Sequence, residues 1–278
     1  MPEGEPTRVV LISHGLHEHA LRYHDIAHAL TSKGVAVYAF DHYAHGKSSG
    51  TKGFIPDYHY LIFDFIQVTK WVRDKHPSNI PFSVISHSMG TLVAICSLND
   101  VDNVSSVVFS ATPLFPGPDS SSPFGMRFLY PVTKTSAATS IVKSMASMNP
   151  HGPAAPIAMG GLTNDINEQN ILIHDPYRHH APICNKTAYE VTLMIAEAKV
   201  TLPKLQLPCL IIHGEADTVA LCTGSSFIFD NIGSSYKKLK VFPGSKHEMF
   251  HEITTIKTDS INNVVDFLCD NDYSLNSV

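Results

Sequence analysis

Cysteine is scarce: there are five in 278 residues, an odd number, far apart and with no C-x-x-C pair. That spacing counts against both a disulfide framework and a cysteine-built zinc site, and it fits a reducing cytoplasm. A positive surplus is missing too, with 20 Lys+Arg against 25 Asp+Glu for a net charge of -5. Such a chain has little to set against a phosphate backbone, so nucleic acid is not an expected partner. Long apolar runs are absent, none approaching the ~18–20 residues that cross a bilayer. The first residues, MPEGEPTR, carry acids where a secretion signal would carry positive charge. Any membrane contact is therefore expected to be peripheral. Charged residues make up only 16% and hydrophobic ones 44%, which describes a soluble globular chain able to bury a sizeable core, not a disordered tail. Histidine is the exception to this scarcity: 17 are present, and their net charge is expected to climb steeply as pH falls below neutrality.

Short β-branched runs alternate with helical periodicity. Arg8 to Ser13, Val35 to Phe40, Phe82 to Ile85 and Ser106 to Ser110 read as strands. Between them, Tyr23, Ile26, Ala27 and Leu30 form a helical stripe, and helices are expected from about Asp57 to Lys75 and from Met89 to about Leu98. Strands separated by helices imply right-handed parallel crossovers. From Pro113 to Gly160 the pattern breaks: the segment holds 8 of the 18 prolines and shows no strand pattern. Alternation resumes with Pro208 to His213, Ser225 to Ile232, Leu239 to Phe242 and Ser260 to Cys269. The expected fold class is α/β, a mostly parallel, doubly wound sheet of about six strands. Residues 1–112 and 201–278 form the core, and residues 113–200 form a cap inserted between strands four and five.

The third strand runs into Ser86-His87-Ser88-Met89-Gly90 and then directly into a helix. A strained turn of this kind pushes a serine hydroxyl out at the carboxyl end of a sheet and requires small residues two positions to either side. A serine needs a base, and the base needs an orienting group. Past the next two strand ends stand Asp217, in His213-Gly214-Glu215-Ala216-Asp217, and His247, in Pro243-Gly244-Ser245-Lys246-His247. The order Ser88, Asp217, His247 places each candidate beyond the carboxyl end of a successive parallel strand, where open sheets build their sites. An oxyanion would be met by two backbone N–H groups, that of Met89 and that of Leu16 in the loop after the first strand.

Taken with Ser13-His14-Gly15-Leu16-His17-Glu18-His19, Arg22-Tyr23, Phe40-Asp41-His42, Ala44-His45-Gly46-Lys47-Ser48 and His174-Asp175-Pro176, these motifs resemble the monoglyceride lipase and lysophospholipase family of α/β-hydrolases. The resemblance spans nearly the whole chain and is weakest in the insert. It implies an α/β-hydrolase fold and a serine esterase acting on monoacylglycerols or lysophospholipids through an acyl-enzyme, without metal or cofactor. It also implies a variable apolar cap that touches membranes, and it places Glu18, Arg22 and His87 near a polar head-group pocket. The chain departs from the family pattern at His17, Ser86 and Thr91, where glycine is usual. The extra hairpin that normally precedes the first strand is also missing, so an open sheet edge is expected.

Two other readings remain open. His247-Glu248-Met249-Phe250-His251 spells H-E-x-x-H, a zinc motif that needs one helix through both histidines and a third ligand. A non-catalytic binding protein on the same fold is the second, prompted by the replaced glycines. In the insert, Phe115, Phe124, Met126, Phe128, Leu129, Ile141, Met145 and Met148 offer soft apolar surface for an acyl channel or lid. Cys222, five residues past Asp217, is expected near the site and open to modification.

Overall fold

The computed structural model of the chain describes residues 1–2, 4–117, 136–155 and 159–269. Six parallel strands form the central sheet: β1 (Arg8–Ser13), β2 (Val35–Phe40), β3 (Phe82–His87), β4 (Val104–Ser110), β7 (Cys209–Gly214) and β8 (Lys237–Phe242), in the order β2-β1-β3-β4-β7-β8. Both faces are covered, so alternate residues of one strand serve different cores. In β1, Val9 and Leu11 join one buried cluster while Val10 and Ile12 join the other. Each such side chain removed from water contributes roughly 1.5–3 kcal/mol. The first cluster is closed by α2 (His59–Arg73), α3 (Met89–Ser97) and α6 (Asn185–Thr201), and the second by α1 (His24–Thr31) and α8 (Thr254–Cys269). Every residue of α3 is buried, which explains why its sequence is apolar all round and not striped.

After β1 the chain turns to β2 on one side and then crosses back to β3 on the other. This reversal opens a crevice at the carboxyl ends of β1 and β3, the place where doubly wound sheets bind ligands. Register keeps the other strand ends level with it. Ser13 pairs with Ser86, His87 with Ser110, Ser110 with Ile212 and Gly214 with Phe242. The loops after β3, β7 and β8 therefore emerge at one rim.

Between β4 and β7 lie α4 (Ser136–Met148), β5 (Pro153–Ala155), α5 (Ile166–His174), β6 (Ile183–Cys184) and α6; α7 (Thr223–Asn231) follows β7. The antiparallel β5–β6 pair corrects the expectation of no strand in the Pro113 to Gly160 segment. Strands of two or three residues are too short to show a period of two. Helix α8 begins six residues before the expected Ser260, because its first turns are mostly exposed and the apolar stripe starts only near Ile261. Among the described residues, β2 and β8 are the edges of the main sheet, and no helix is long and apolar enough to cross a membrane.

Burial also corrects the expected histidine titration. His14, His17, His42, His45 and His87 are all buried and pushed below the ordinary histidine value, chiefly by loss of solvent. Several act as braces: His14 Nε2 accepts from the His42 backbone N–H at 3.0 Å, and His42 Nε2 meets Ser13 Oγ at 2.9 Å. The charge gained on acidification near neutrality is correspondingly smaller than the histidine count suggests.

Candidate active site

Ser88 stands between β3 and α3 with φ 49° and ψ −122°, a conformation unfavourable for a residue with a Cβ. The turn is held by the Ser88 N–H donating to Ser110 O at 2.9 Å and by the Thr91 N–H donating to Ser88 O at 2.9 Å. Gly90 is what allows α3 to pack this close to β1: an added Cβ would lie 2.3 Å from Ser13 O and 2.6 Å from His14 O. Both obstacles are backbone, so Gly90→Ala is expected to destabilise the fold by about 1–3 kcal/mol or more, a loss that thermal unfolding measures.

The three non-glycine positions are accommodated locally. Ser86 is buried and donates to Val108 O at 3.0 Å, and Thr91 Oγ1 donates to Ser88 O at 2.6 Å. His17 keeps the left-handed backbone that glycine would adopt freely, at φ 66°, and is held by His179 N–H donating to its carbonyl at 3.0 Å.

The three loops bring Ser88, His247 and Asp217 into one hydrogen-bonded chain. His247 Nε2 lies 2.9 Å from Ser88 Oγ, and His247 Nδ1 lies 2.7 Å from Asp217 Oδ2. Asp217 Oδ1 accepts from the Val219 and Ala220 backbone N–H groups at 2.8 and 2.9 Å. Gly214 lets the two carrier loops meet, since a Cβ there would lie 2.0 Å from Lys246 O. Burial would raise Asp217, yet the imidazoles of His247 and His213 hold it well below the usual carboxylate range. Burial would lower His247, but Asp217 outweighs it and, with Glu248 and Glu18, raises His247 above the ordinary histidine value. A carboxylate, an imidazole and a hydroxyl in this order can move the serine proton onto the ring.

His213 escaped the sequence reading although it opens the segment containing Asp217. Its Nε2–H reaches Asp217 Oδ2 at 3.0 Å and Ala220 O at 2.9 Å, while Nδ1 meets Ser225 Oγ at 2.7 Å. The carboxylate is thus fixed by a second buried imidazole, a partner that spacing alone cannot reveal because it depends on a turn.

A cleft opens beside Ser88. Leu16 and Met89 form part of its wall, and Met89, as the first residue of α3, has an N–H with no acceptor inside the helix. Glu18 and His87 also line it, whereas Arg22 stands behind the wall. Arg22 donates from Nη1 to Glu18 Oε2 at 3.2 Å and to Glu248 Oε1 at 3.0 Å, and from Nη2 to Glu248 Oε2 at 2.6 Å. Glu18 in turn accepts from Tyr23 Oη at 2.8 Å and from the Gly15 N–H, which shapes the loop carrying Leu16. Burial pushes Glu18 up, but His87 and Arg22 pull it down by more, to about 2. His87 itself is lowered by burial to about 4, so it faces the cleft uncharged at neutral pH.

Of the insert residues expected to form an acyl channel or lid, Phe115 packs edge-on against Phe227, while Ile141, Met145 and Met148 are exposed on α4. Phe124, Met126, Phe128 and Leu129 lie outside the described residues. Among the described residues the apolar wall includes Ala155, Ile183, Ala188, Val191 and Ile195, the last three on α6, whose weak apolar stripe gave no sign of them. Cys222 is half-buried, and its thiol is raised by burial, Asp217 and Glu215, which disfavours the reactive thiolate.

The H-E-x-x-H segment does not form one helix: only Met249–His251 makes a short 3-10 turn. The ring nitrogens of His247 meet Ser88 and Asp217, Glu248 pairs with Arg22, and His251 Nε2 lies 2.7 Å from Arg22 O. Among the described residues no group of three or more His, Cys, Asp or Glu could hold a metal ion.

Comparison with known proteins agrees with this geometry. A family model described as serine aminopeptidase, S33, matches residues 4–254. The chain is 27% identical to the monoglyceride lipase of Homo sapiens over 263 residues, 94% of this chain and 81% of that one. It is 25% identical to the monoglyceride lipase homolog of Monkeypox virus over 252 residues, 91% of this chain and 86% of that one. The crystal structure of Paleococcus ferrophilus monoacylglycerol lipase superposes with a TM-score of 0.78 at 23% identity, covering 95% of each chain. With the family model spanning most of its length, the chain belongs to the serine aminopeptidase S33 and monoglyceride lipase family of α/β-hydrolases.

Proposed function

We propose that the protein hydrolyses carboxylic esters of lipids, monoacylglycerols or lysophospholipids, through an acyl-enzyme on Ser88. The observation that carries this reading is the Ser88–His247–Asp217 chain opening onto a cleft lined by both apolar and polar side chains. His247 Nε2 takes the Ser88 proton as Oγ attacks the ester carbonyl, and the Leu16 and Met89 N–H groups receive the oxyanion. Collapse expels the alcohol, which takes its proton from His247. Water then repeats the sequence in reverse and releases the fatty acid. Asp217 holds the Nδ1–H tautomer throughout. The relatives named monoglyceride lipase support the substrate class.

A panel of monoacylglycerols, lysophospholipids and short soluble esters tests the reading. Release of fatty acid from a long-chain member is expected, and no turnover of any ester would refute it, leaving a binding protein. The base must be neutral to act, and Asp217 holds its pKa above the ordinary histidine value. The value of kcat/KM is therefore expected to rise with pH, through a midpoint displaced upward from that of an ordinary histidine, and then level off. A profile flat from about pH 5 to 8 would contradict His247 as the base.

A further inference from the structure

The loop after α5 is tied to the loop after β1 at two points. Asp175 Oδ2 meets His19 Nε2 at 2.7 Å, and the His179 N–H donates to His17 O at 3.0 Å. Between those ties the chain carries Arg178 into the cleft wall, where it is 8% exposed. Its guanidinium has no hydrogen-bond or ion-pair partner among the described residues. Burial accordingly works against its charge, with Glu248 and Glu18 offsetting only part of that cost.

The neighbouring carboxylates are already engaged. Both oxygens of Glu248 receive Arg22, while Glu18 receives Arg22, Tyr23 and the Gly15 N–H. Asp175 is taken by His19 and by the Tyr177 N–H at 2.9 Å. A guanidinium carries five donors in a planar fork that matches the oxygens of a phosphate or carboxylate. Arg178 thus offers an unused donor set in a cleft whose wall also holds Glu18, His87, His247 and Glu248, and it lies near enough to Glu248 and Glu18 for their charges to act on it.

We infer that Arg178 receives an anionic oxygen group, phosphate or carboxylate, on the alcohol half of the substrate, so that charged lysolipid-type esters are preferred to neutral monoacylglycerols. The inference rests on the reading of the cleft as an acyl-ester site and chooses between its two substrate classes. Binding of non-hydrolysable ethers tests it without requiring turnover. The probes are 1-O-octylglycerol, its 3-phosphate and its carboxymethyl counterpart, each below its critical micelle concentration.

Wild-type protein is expected to bind at least one anionic ether about tenfold or more tightly than the neutral one. Arg178→Gln should erase most of that ratio and Arg178→Lys should restore part of it, with thermal unfolding confirming that both variants fold. Equal affinity for all three ethers, or an equal loss for charged and neutral ethers in Arg178→Gln, would overturn the inference. Inorganic phosphate binding as tightly as the lipid phosphate would also overturn it, since the head group would then not be the ligand. Preference for an anionic ether in a protein that cleaves no ester would sink the hydrolytic reading and leave the Arg178 site standing.

Discussion

Alanine in place of Ser88 is expected to lower kcat for ester hydrolysis by about 10⁴-fold or more, because it removes the hydroxyl that lies against His247 Nε2 and would carry the acyl group. The cleft, the Leu16 and Met89 N–H groups and the carboxylate–imidazole pair all survive the change. Whatever rate remains would be water attack assisted by binding and oxyanion stabilisation. The fold should survive as well: among the described residues the hydroxyl's one hydrogen bond is to His247, and alanine bears the φ 49° backbone no worse than serine. Steady-state kinetics alongside a thermal melt separates the outcomes. A well-folded Ser88→Ala protein with more than a tenth of wild-type kcat would mean that another residue performs the attack.

Asp217→Asn is expected to cost about 10⁴-fold in kcat, the scale seen when a triad carboxylate becomes an amide and the wrong imidazole tautomer is favoured. This chain makes the substitution especially unfavourable. Four donors converge on Asp217: the Val219 and Ala220 N–H groups on Oδ1, and the His247 and His213 rings on Oδ2. An amide has one oxygen, so its NH₂ must face either the two backbone donors or the two imidazoles. If it faces the imidazoles, His247 takes its proton on Nε2 and can no longer receive the one from Ser88. If it faces the backbone, the buried Ala220 N–H loses its acceptor, at roughly 1–3 kcal/mol, and so does the part-buried Val219 N–H, at less. A loss of less than tenfold in kcat, with stability unchanged, would show that Asp217 is dispensable for orientation.

Much of this was legible because it is local or periodic. The boundaries of β1 and β2 follow from short runs rich in β-branched and other apolar residues, and the positions of Ser88, Asp217 and His247 follow from what stands just past a strand end. The small residue required two positions after Ser88 is Gly90, which the packing shows against the Ser13 and His14 backbone, whereas the tight approach at Gly214 emerged only from the fold. What could not be read depends on contacts distant in sequence. His213 becomes a partner of Asp217 only once the turn between them closes, and Arg178 enters the cleft only because Asp175 and His179 fasten its loop to residues more than 150 positions earlier. Arg22 was placed at the pocket by resemblance, yet it stands behind the wall and fixes two carboxylates that face it. Smaller aliphatics on α6, in a part of the insert where none was singled out, line the cleft among the described residues, because a long helix with a weak apolar stripe can still turn its few aliphatics toward a cavity.

We propose that Ser88 is made nucleophilic by its place against the His247 and Asp217 pair. Intact-mass measurement after exposure to a long-chain alkyl fluorophosphonate, followed by peptide mapping, addresses it directly. One adduct per chain, located on Ser88 and prevented by prior unfolding, is the predicted result. No adduct on the native protein, or an adduct mapped to a different residue, would contradict it.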